Sequence, residues 1–166
     1  MIAKSYIEKS LQELDILYNQ ATSQKKSIYF SKLALIELCG WIEETLDDII
    51  IRHANRNLKE QINKTYCKKQ IVKPNYGFEY ERNLRPMLIK LIGLINIEKM
   101  EKSLEKTAQI TLLTTYLQNL KTTRNDAAHT HLKGVTRRYN APSQTLGDYR
   151  NICAILETLD ASLRSY

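Results

Sequence analysis

The stretch from Ile28 to about Asn57 constrains the fold more than any other part of the chain. It contains no proline and a single glycine, Gly40. Apolar or buried-type residues recur in it every three or four positions, which is the period of an α-helix. These positions are Ile28, Leu35, Leu38, Ile42, Leu46, Ile49 and His53. The pattern predicts the longest helix of the protein, with Trp41 in the core and His53 in a structural role near the helix end.

Other segments show the same helical period. They are residues 5–21, 79–96, a stretch that starts at Thr107 and a final stretch after Thr145, with a weaker helix at 58–69. The first helix should be antiparallel to the long one, because the connection between them is short. With only five Gly and three Pro in 166 residues, a turn-rich β fold is disfavoured. The sequence therefore predicts an all-α protein, with residues 1–166 forming one domain that is a single bundle of five or six helices.

Several segments are predicted to lie outside this helical core. Residues 73–78 are typical of a loop, 98–106 of a charged, solvated run and 133–142 of a basic loop. The sequence Thr145-Leu-Gly-Asp148 resembles a capping box and predicts that the last helix begins there. The pairs Glu43-Glu44 and Asp47-Asp48 predict an acidic outer face on the long helix.

The net charge of +7 is distributed unevenly. Residues 1–63 hold 8 basic and 9 acidic side chains, which leaves 17 basic and 9 acidic side chains in residues 64–166. A basic half beside a nearly neutral half favours an anionic partner, with nucleic acid the first candidate. Charge alone does not decide the question, since many basic proteins bind no anion.

Cysteine usage and hydropathy indicate the compartment. Cys39, Cys67 and Cys153 are odd in number and far apart, so a disulfide framework or zinc site is disfavoured and three small buried residues are expected. A reducing cytoplasm fits this usage best. The most apolar stretch, residues 86–95, is too short to span a bilayer, and residues 1–10 lack the apolar region of a secretory signal. We expect a cytoplasmic protein without membrane association or cofactor.

The segment Arg124-Asn-Asp-Ala-Ala-His129 carries the chemistry. The apolar stripe Ile110, Leu113, Leu117, Leu120 leads by helical spacing to position 124, where an arginine stands instead. A guanidinium at such a place needs a carboxylate, carbonyl groups or a bound anion, and it can grip a phosphate with two hydrogen bonds. Alternatively, Arg124 pairs with an internal acid or extends to solvent at the end of the helix.

His129 is the second candidate, because histidine transfers protons readily near neutral pH. Ala127 and Ala128 before it leave room for a ligand or a closely packed helix, or are ordinary packing positions. Five residues rotate a straight helix by about 140°, so Arg124 and His129 would not share a face. Either the helix ends or bends between them, or the cooperating groups come from two subunits.

Here the sequence resembles the HEPN family, and its overall look is similar to the small bacterial RiboL-PSP-type branch. The family signature is Arg-x4–6-His, and many members have Arg-Asn-x-x-Ala-His, which residues 124–129 match position by position. The motif covers six residues; the rest of the resemblance is helical order, chain length and placement before a final helix.

The resemblance implies a HEPN-like helical bundle that forms a homodimer, with two Arg/His pairs facing one cleft. It also implies metal-independent endoribonuclease activity, with the ribose 2′-hydroxyl as nucleophile and no cofactor. By position, Arg124 would hold the scissile phosphate, His129 would act as general base or acid, and Asn125 would orient the site. A toxin or defence effector would fit this chemistry, with an antitoxin or regulatory protein as a further partner.

The remaining candidates surround the motif. Four basic side chains are predicted to steer the RNA backbone, unless they belong to a solvated surface. They are Lys121, Lys133, Arg137 and Arg138. His131 is predicted to contact a phosphate or to transfer a second proton. Alternatively, His129 and His131 would bind a metal together with Asp126, but the spacing makes no third ligand convincing, and no metal is predicted. Tyr139 and Tyr149 are candidates for stacking on a base, with the core as the favoured place for Tyr149.

Two other functions remain open on these residues. One is a non-catalytic HEPN-like module that binds RNA, a nucleotide or a protein, since a fold does not fix a function. The other is a helical scaffold or antitoxin-like protein, in which Arg124 is salt-bridged internally and His129 is half-buried.

Overall fold

The computed structural model describes residues 2–129 and 139–166, apart from the side chain of His129. This part of the chain contains seven α-helices and two short π-helical segments, and it contains no strand. In chain order they are α1 (Ser5–Asn19), α2 (Gln24–Asn57), α3 (Gln61–Tyr66), the first π-helical segment (Cys67–Val72), the second π-helical segment (Tyr80–Leu84), α4 (Arg85–Ile92), α5 (Leu94–Glu105), α6 (Gln109–His129) and α7 (Pro142–Leu163). The all-α prediction is confirmed, whereas the predicted number of five or six helices is too low.

Gly93 accounts for one additional helix. Its φ of +81° lies in the left-handed region that glycine adopts without strain. Helix α4 ends at this residue and α5 begins directly after it, so the helix predicted for residues 79–96 is divided.

Helix α5 also corrects the prediction of a solvated run at residues 98–106. Ile97, Met100 and Leu104 are buried, while charged residues such as Lys99 are exposed. The three apolar positions follow a helical period, but they are separated by so many charged residues that the sequence alone suggested a polar segment.

Helix α7 begins three residues earlier than predicted. Pro142 is its first residue, where the fixed φ of proline suits the helix and the missing N–H costs no hydrogen bond. Thr145 is buried inside the first turns and caps nothing, so the capping-box prediction is wrong.

The long helix α2 is the centre of the bundle and packs against α1, α6 and α7. Trp41 is buried in it, as predicted, and its indole N–H donates to the carbonyl oxygen of Ala3 at 2.7 Å. The Trp41 ring meets the buried ring of Tyr149 from α7 edge-on, with centroids 5.0 Å apart. An aromatic pair of this geometry contributes about 1 kcal/mol beyond its buried area. These contacts fix the start of the chain and α7 on α2.

The opposite end of α2 is held by buried polar groups. Asp160 of α7 is buried and lies 3.6 Å from Arg52 and 3.2 Å from Arg164. His53 is also buried, with a ring nitrogen 3.0 Å from the amide nitrogen of Asn57, which agrees with the structural role predicted for it.

All three cysteines are buried and unpaired, as the sequence predicts. Burial raises the pKa of the Cys39 thiol to about 12, so this side chain is an inert packing residue. In the described ranges, no group of three or more His, Cys, Asp or Glu side chains is placed to hold a metal ion. None of the described helices is both long and apolar enough to cross a membrane.

Candidate active site

The apolar stripe of helix α6 is the predicted one as far as Leu120, and it continues at Ala127 instead of position 124. Leu113, Leu117 and Leu120 are buried, and the stripe continues at Ala127, which is 1% exposed. Around the helix axis, Ala127 lies about 20° from Leu120, whereas Arg124 lies about 40° away on the other side. By angle Arg124 falls within the stripe, between Leu113 and Leu117, yet its side chain is exposed. The prediction of a core-facing position is therefore wrong, and the exposure agrees with the alternative that the side chain extends to solvent near the end of the helix.

Arg124 lines a cavity of about 270 Å³ between α2, α6 and the loop before the second π-helical segment. Asn125 and Lys121 line the same cavity, and Nη1 of Arg124 donates a hydrogen bond of 3.4 Å to Oδ1 of Asn125. Glu43 contributes from α2 and Glu79 from the loop. The structure thus brings three of the predicted site residues together, on one side of α6.

The loop wall of this cavity is well fixed. The amide group of Asn83 holds it by accepting from the Glu79 backbone N–H at 2.9 Å and by donating to the carbonyl oxygen of Tyr76 at 3.1 Å. The backbone N–H of Gly77 donates to the Glu43 carboxylate at 2.8 Å. Gly77 has a φ of +112°, so glycine is required at this turn. The loop predicted at residues 73–78 is confirmed, since the helical segments stop at Val72 and resume at Tyr80.

A second set of contacts holds the same wall from behind. The Glu101 carboxylate of α5 accepts hydrogen bonds from the Tyr80 hydroxyl and from Nε of Arg85, each at 2.7 Å. These bonds fix the second π-helical segment against α5. The cavity is therefore bounded by elements that are tied to the core at both ends.

The charges in the cavity are only partly compensated. Lys121 forms a 2.7 Å ion pair with Glu79, so its charge is largely occupied by the protein itself. Glu43 is engaged by the Gly77 backbone. Arg124, in contrast, forms no ion pair with another described residue. An exposed guanidinium with one weak hydrogen bond remains available to bind an oxyanion.

His129 is the last residue of α6, and its side chain lies outside the described part of the protein. Because the helix continues through His129, it does not end between the two motif residues. Their positions are about 140° apart around the axis. Ala127 is buried and Ala128 is exposed, so only the latter leaves open space on the surface. The contribution of groups from two subunits stays a prediction.

Lys121 is the one predicted substrate-binding residue that lies within the described part of the protein. His131, Lys133, Arg137 and Arg138 lie outside the described residues. The ion pair of Lys121 with Glu79 makes it a structural contact of the loop as well as a cavity residue.

The two tyrosine candidates have different surroundings. Tyr149 is buried against Trp41, which confirms the favoured core position. Tyr139 is half-buried beside a separate cavity of about 220 Å³, together with Asn119 and Asp148. Its hydroxyl is buried and has no hydrogen-bond partner among the described residues. Stacking of Tyr139 on a base stays a prediction.

Sequence reasoning missed the acidic and amide residues of the Arg124 cavity. Glu43 was assigned to an acidic outer face; Glu44 and Asp48 are indeed exposed, but Glu43 and Asp47 are half-buried. The signal was present in the period of α2, because residues 43 and 47 lie closer to the apolar side than 44 and 48 do. Asn83 gave no signal, since its role depends on the fold of the loop.

Comparison of the chain with protein-family models, with curated proteins and with solved structures gave no match.

Proposed function

We propose that this protein is a metal-independent endoribonuclease of the HEPN type, with a composite Arg124/His129 site at a homodimer interface. The observation that carries the proposal is the exposed guanidinium of Arg124, which forms no ion pair within the described part of the chain and lines a cavity near the end of α6. It stands in the only segment of the chain with the Arg-Asn-x-x-Ala-His pattern, in a protein of net charge +7.

The chemistry follows from these groups. Arg124 binds the scissile phosphate and stabilises the negative charge that develops on its oxygens. Asn125 accepts a hydrogen bond from the guanidinium and so helps to orient it. His129 removes the proton from the ribose 2′-hydroxyl or returns one to the leaving oxygen. Dependence on the 2′-hydroxyl makes RNA the substrate and spares DNA.

The dimer needs a surface, and α2 offers one. Tyr29, Leu33 and Ile36 are 47%, 44% and 40% exposed, and with Gly40 they form a stripe about 60° wide along the helix. A side chain added at Gly40 would meet no atom within 4 Å, so a second helix has room to approach closely there. We assign this apolar stripe to contact with a second copy of the chain.

The apolar stripe also lies in the right place for a composite site. Glu43, which lines the Arg124 cavity, is on the same side of α2, within about 20° of Ile36 and roughly 10 Å further along the axis. A second subunit seated on the stripe would therefore stand beside the cavity. Its own α6 end can then supply the histidine that one helix alone cannot bring to Arg124.

The proposal is tested by RNA cleavage in the presence of EDTA. Arg124→Ala and His129→Ala should each abolish most of the activity, since removal of one transition-state donor typically costs about 100-fold or more. Arg82→Ala is a matched control, because Arg82 is exposed and lies outside the described cavities. Cleavage that is unchanged in both motif variants would remove the assigned roles.

A non-catalytic RNA-, nucleotide- or protein-binding module is the second candidate. It is favoured by the two carboxylates in the cavity, Glu43 and Glu79, which lower the local positive charge that a phosphate would meet. A wild-type protein that binds RNA on a gel but never cuts it would favour this function. Action as a toxin or defence effector, with an antitoxin or regulatory partner, rests on the nuclease activity.

A further inference from the structure

A second depression, a groove, opens at the start of the loop whose later residues bound the Arg124 cavity. It has a volume of about 760 Å³ and lies between α2, α3 and the first π-helical segment. Four lysines line it: Lys64, Lys68, Lys69 and Lys73. Asp47 is its one acidic residue, so the groove carries a charge of about +3 when all five groups are ionised.

The lysines are free to bind a ligand. Lys68, Lys69 and Lys73 are exposed and Lys64 is half-buried, and none of the four forms an ion pair with a described residue. The fold concentrates them, because the first π-helical segment places residues 68, 69 and 73 within little more than one turn. Its hydrogen bond from the Lys73 N–H to the Lys68 carbonyl oxygen, at 3.0 Å, spans five residues. Such wide turns are rare and often mark functional sites.

The lining indicates what kind of anion fits. The described lining residues include no aromatic side chain on which a base could stack, while Asn55, Gln61 and Thr65 add neutral hydrogen-bonding groups. A small nucleotide would need a more enclosed, partly apolar pocket. Exposed lysines along an open groove are suited to the sugar–phosphate backbone, read without regard to base sequence.

The groove and the Arg124 cavity share helix α2 as a wall, although no residue lines both. Glu43 lines the cavity, and Asp47, Ile51 and Asn55 line the groove on the following three turns of α2, each rotated by about 40° from the one before. From residue 43 to residue 55 the helix rises about 18 Å, which matches roughly five nucleotides of a stacked strand. A strand that leaves the Arg124 cavity and winds along α2 over this distance reaches the groove that the lysines line.

We infer that Lys64, Lys68, Lys69 and Lys73 form a backbone-binding groove for single-stranded RNA, which holds the strand beyond the cleavage site. This rests on the proposed function. The four positive charges increase affinity for longer RNA and leave the chemistry at Arg124 untouched.

The test measures binding, separately from cleavage, by fluorescence anisotropy. The ligand is a 2′-O-methyl RNA oligomer of about twelve nucleotides, which a 2′-hydroxyl-dependent nuclease cannot cut. Each phosphate contact of a single strand contributes about 0.7 to the slope of log K against log salt, so Lys68→Ala with Lys69→Ala should reduce that slope by about 1.4. At about 0.1 M salt this corresponds to binding that is weaker by about 25-fold. The loss should be the same for two unrelated base sequences.

Lys99→Ala with Lys106→Ala is the matched control. Both lysines are exposed and line none of the described cavities. The control pair should change affinity by less than about twofold, as expected for charges away from the bound strand. If the wild type binds RNA but both double variants lose affinity equally, or the groove variant loses none, the assignment of the groove to RNA binding is overturned. If the wild type itself binds no RNA at low salt, the proposed function is overturned as well.

Discussion

Replacing Asp47 with asparagine should stabilise the protein at neutral pH and leave its stability almost unchanged at pH 4. The Asp47 carboxyl lies half-buried on α2, and its Oδ1 is buried without a hydrogen-bond partner among the described residues. Burial first, and then the neighbouring Glu43 carboxylate, raise the pKa of Asp47 from 3.8 to about 6. Asparagine has the same shape and carries no charge.

The magnitude follows from proton linkage. Since the pKa is higher in the folded than in the unfolded chain, stability is lost as the pH rises from about 4 through 6, and the loss is complete at pH 7. The full shift corresponds to at most about 3 kcal/mol, at 1.36 kcal/mol per pKa unit. Because the side chain is only half-buried, water screens part of this cost, and we expect about 1 kcal/mol.

Urea unfolding followed by circular dichroism at pH 4 and pH 7 measures the effect. Asp48→Asn is the control, since Asp48 is the adjacent carboxylate and is exposed. Asp47→Asn should raise the free energy of unfolding at pH 7 and give a small difference at pH 4, with no such change for Asp48→Asn. Equal stabilisation at both pH values, or by both variants, would refute the reasoning.

Three further predictions concern the dimer, the cavity wall and the core. Leu33→Asp with Ile36→Asp should convert a dimer to a monomer in sedimentation equilibrium, whereas Ile95→Asp, at an exposed position outside the apolar stripe of α2, should not. A double variant that stays dimeric would exclude the apolar stripe of α2 as the interface. Gly77→Ala should lower the free energy of unfolding by about 1–2 kcal/mol in urea titration, because φ is +112° and the new Cβ would lie 3.2 Å from a side-chain oxygen. An unchanged unfolding midpoint would contradict the expected backbone strain. Burial, and then the Arg56 charge, lower the pKa of His53 from 6.5, so the wild type should lose stability as the pH falls below about 6.5. His53→Gln should lose less over that range, and parallel curves of unfolding free energy against pH would contradict this.

The sequence predicted the elements whose apolar pattern is dense. The long helix α2, buried Trp41 and Tyr149, and the loop at residues 73–78 could all be derived from helical period and turn residues. Prediction failed where the pattern was diluted or decided by tertiary contacts. Helix α5 was hidden by its charged residues, and the start of α7 depends on Pro142 rather than on a polar cap.

The candidate site was predictable only in its local part. Arg124 and Asn125 share a cavity because they are adjacent on α6, which spacing alone indicates. The helical period did not predict the exposure of Arg124, because its angular position falls within the apolar stripe of α6, between the buried Leu113 and Leu117. Residues such as Glu43 and Asn83 join the site through contacts distant in sequence, which a single sequence without its fold does not show.

Mixing two inactive variants tests the composite site most directly. Arg124→Ala and His129→Ala proteins are unfolded and refolded together in equal amounts, and RNA cleavage is measured in EDTA. If each site takes its arginine from one subunit and its histidine from the other, the mixed dimer regains one intact site, and about a quarter of the wild-type rate returns. A mixture no more active than either variant alone would contradict the account, because two sites contained within single subunits cannot complement each other.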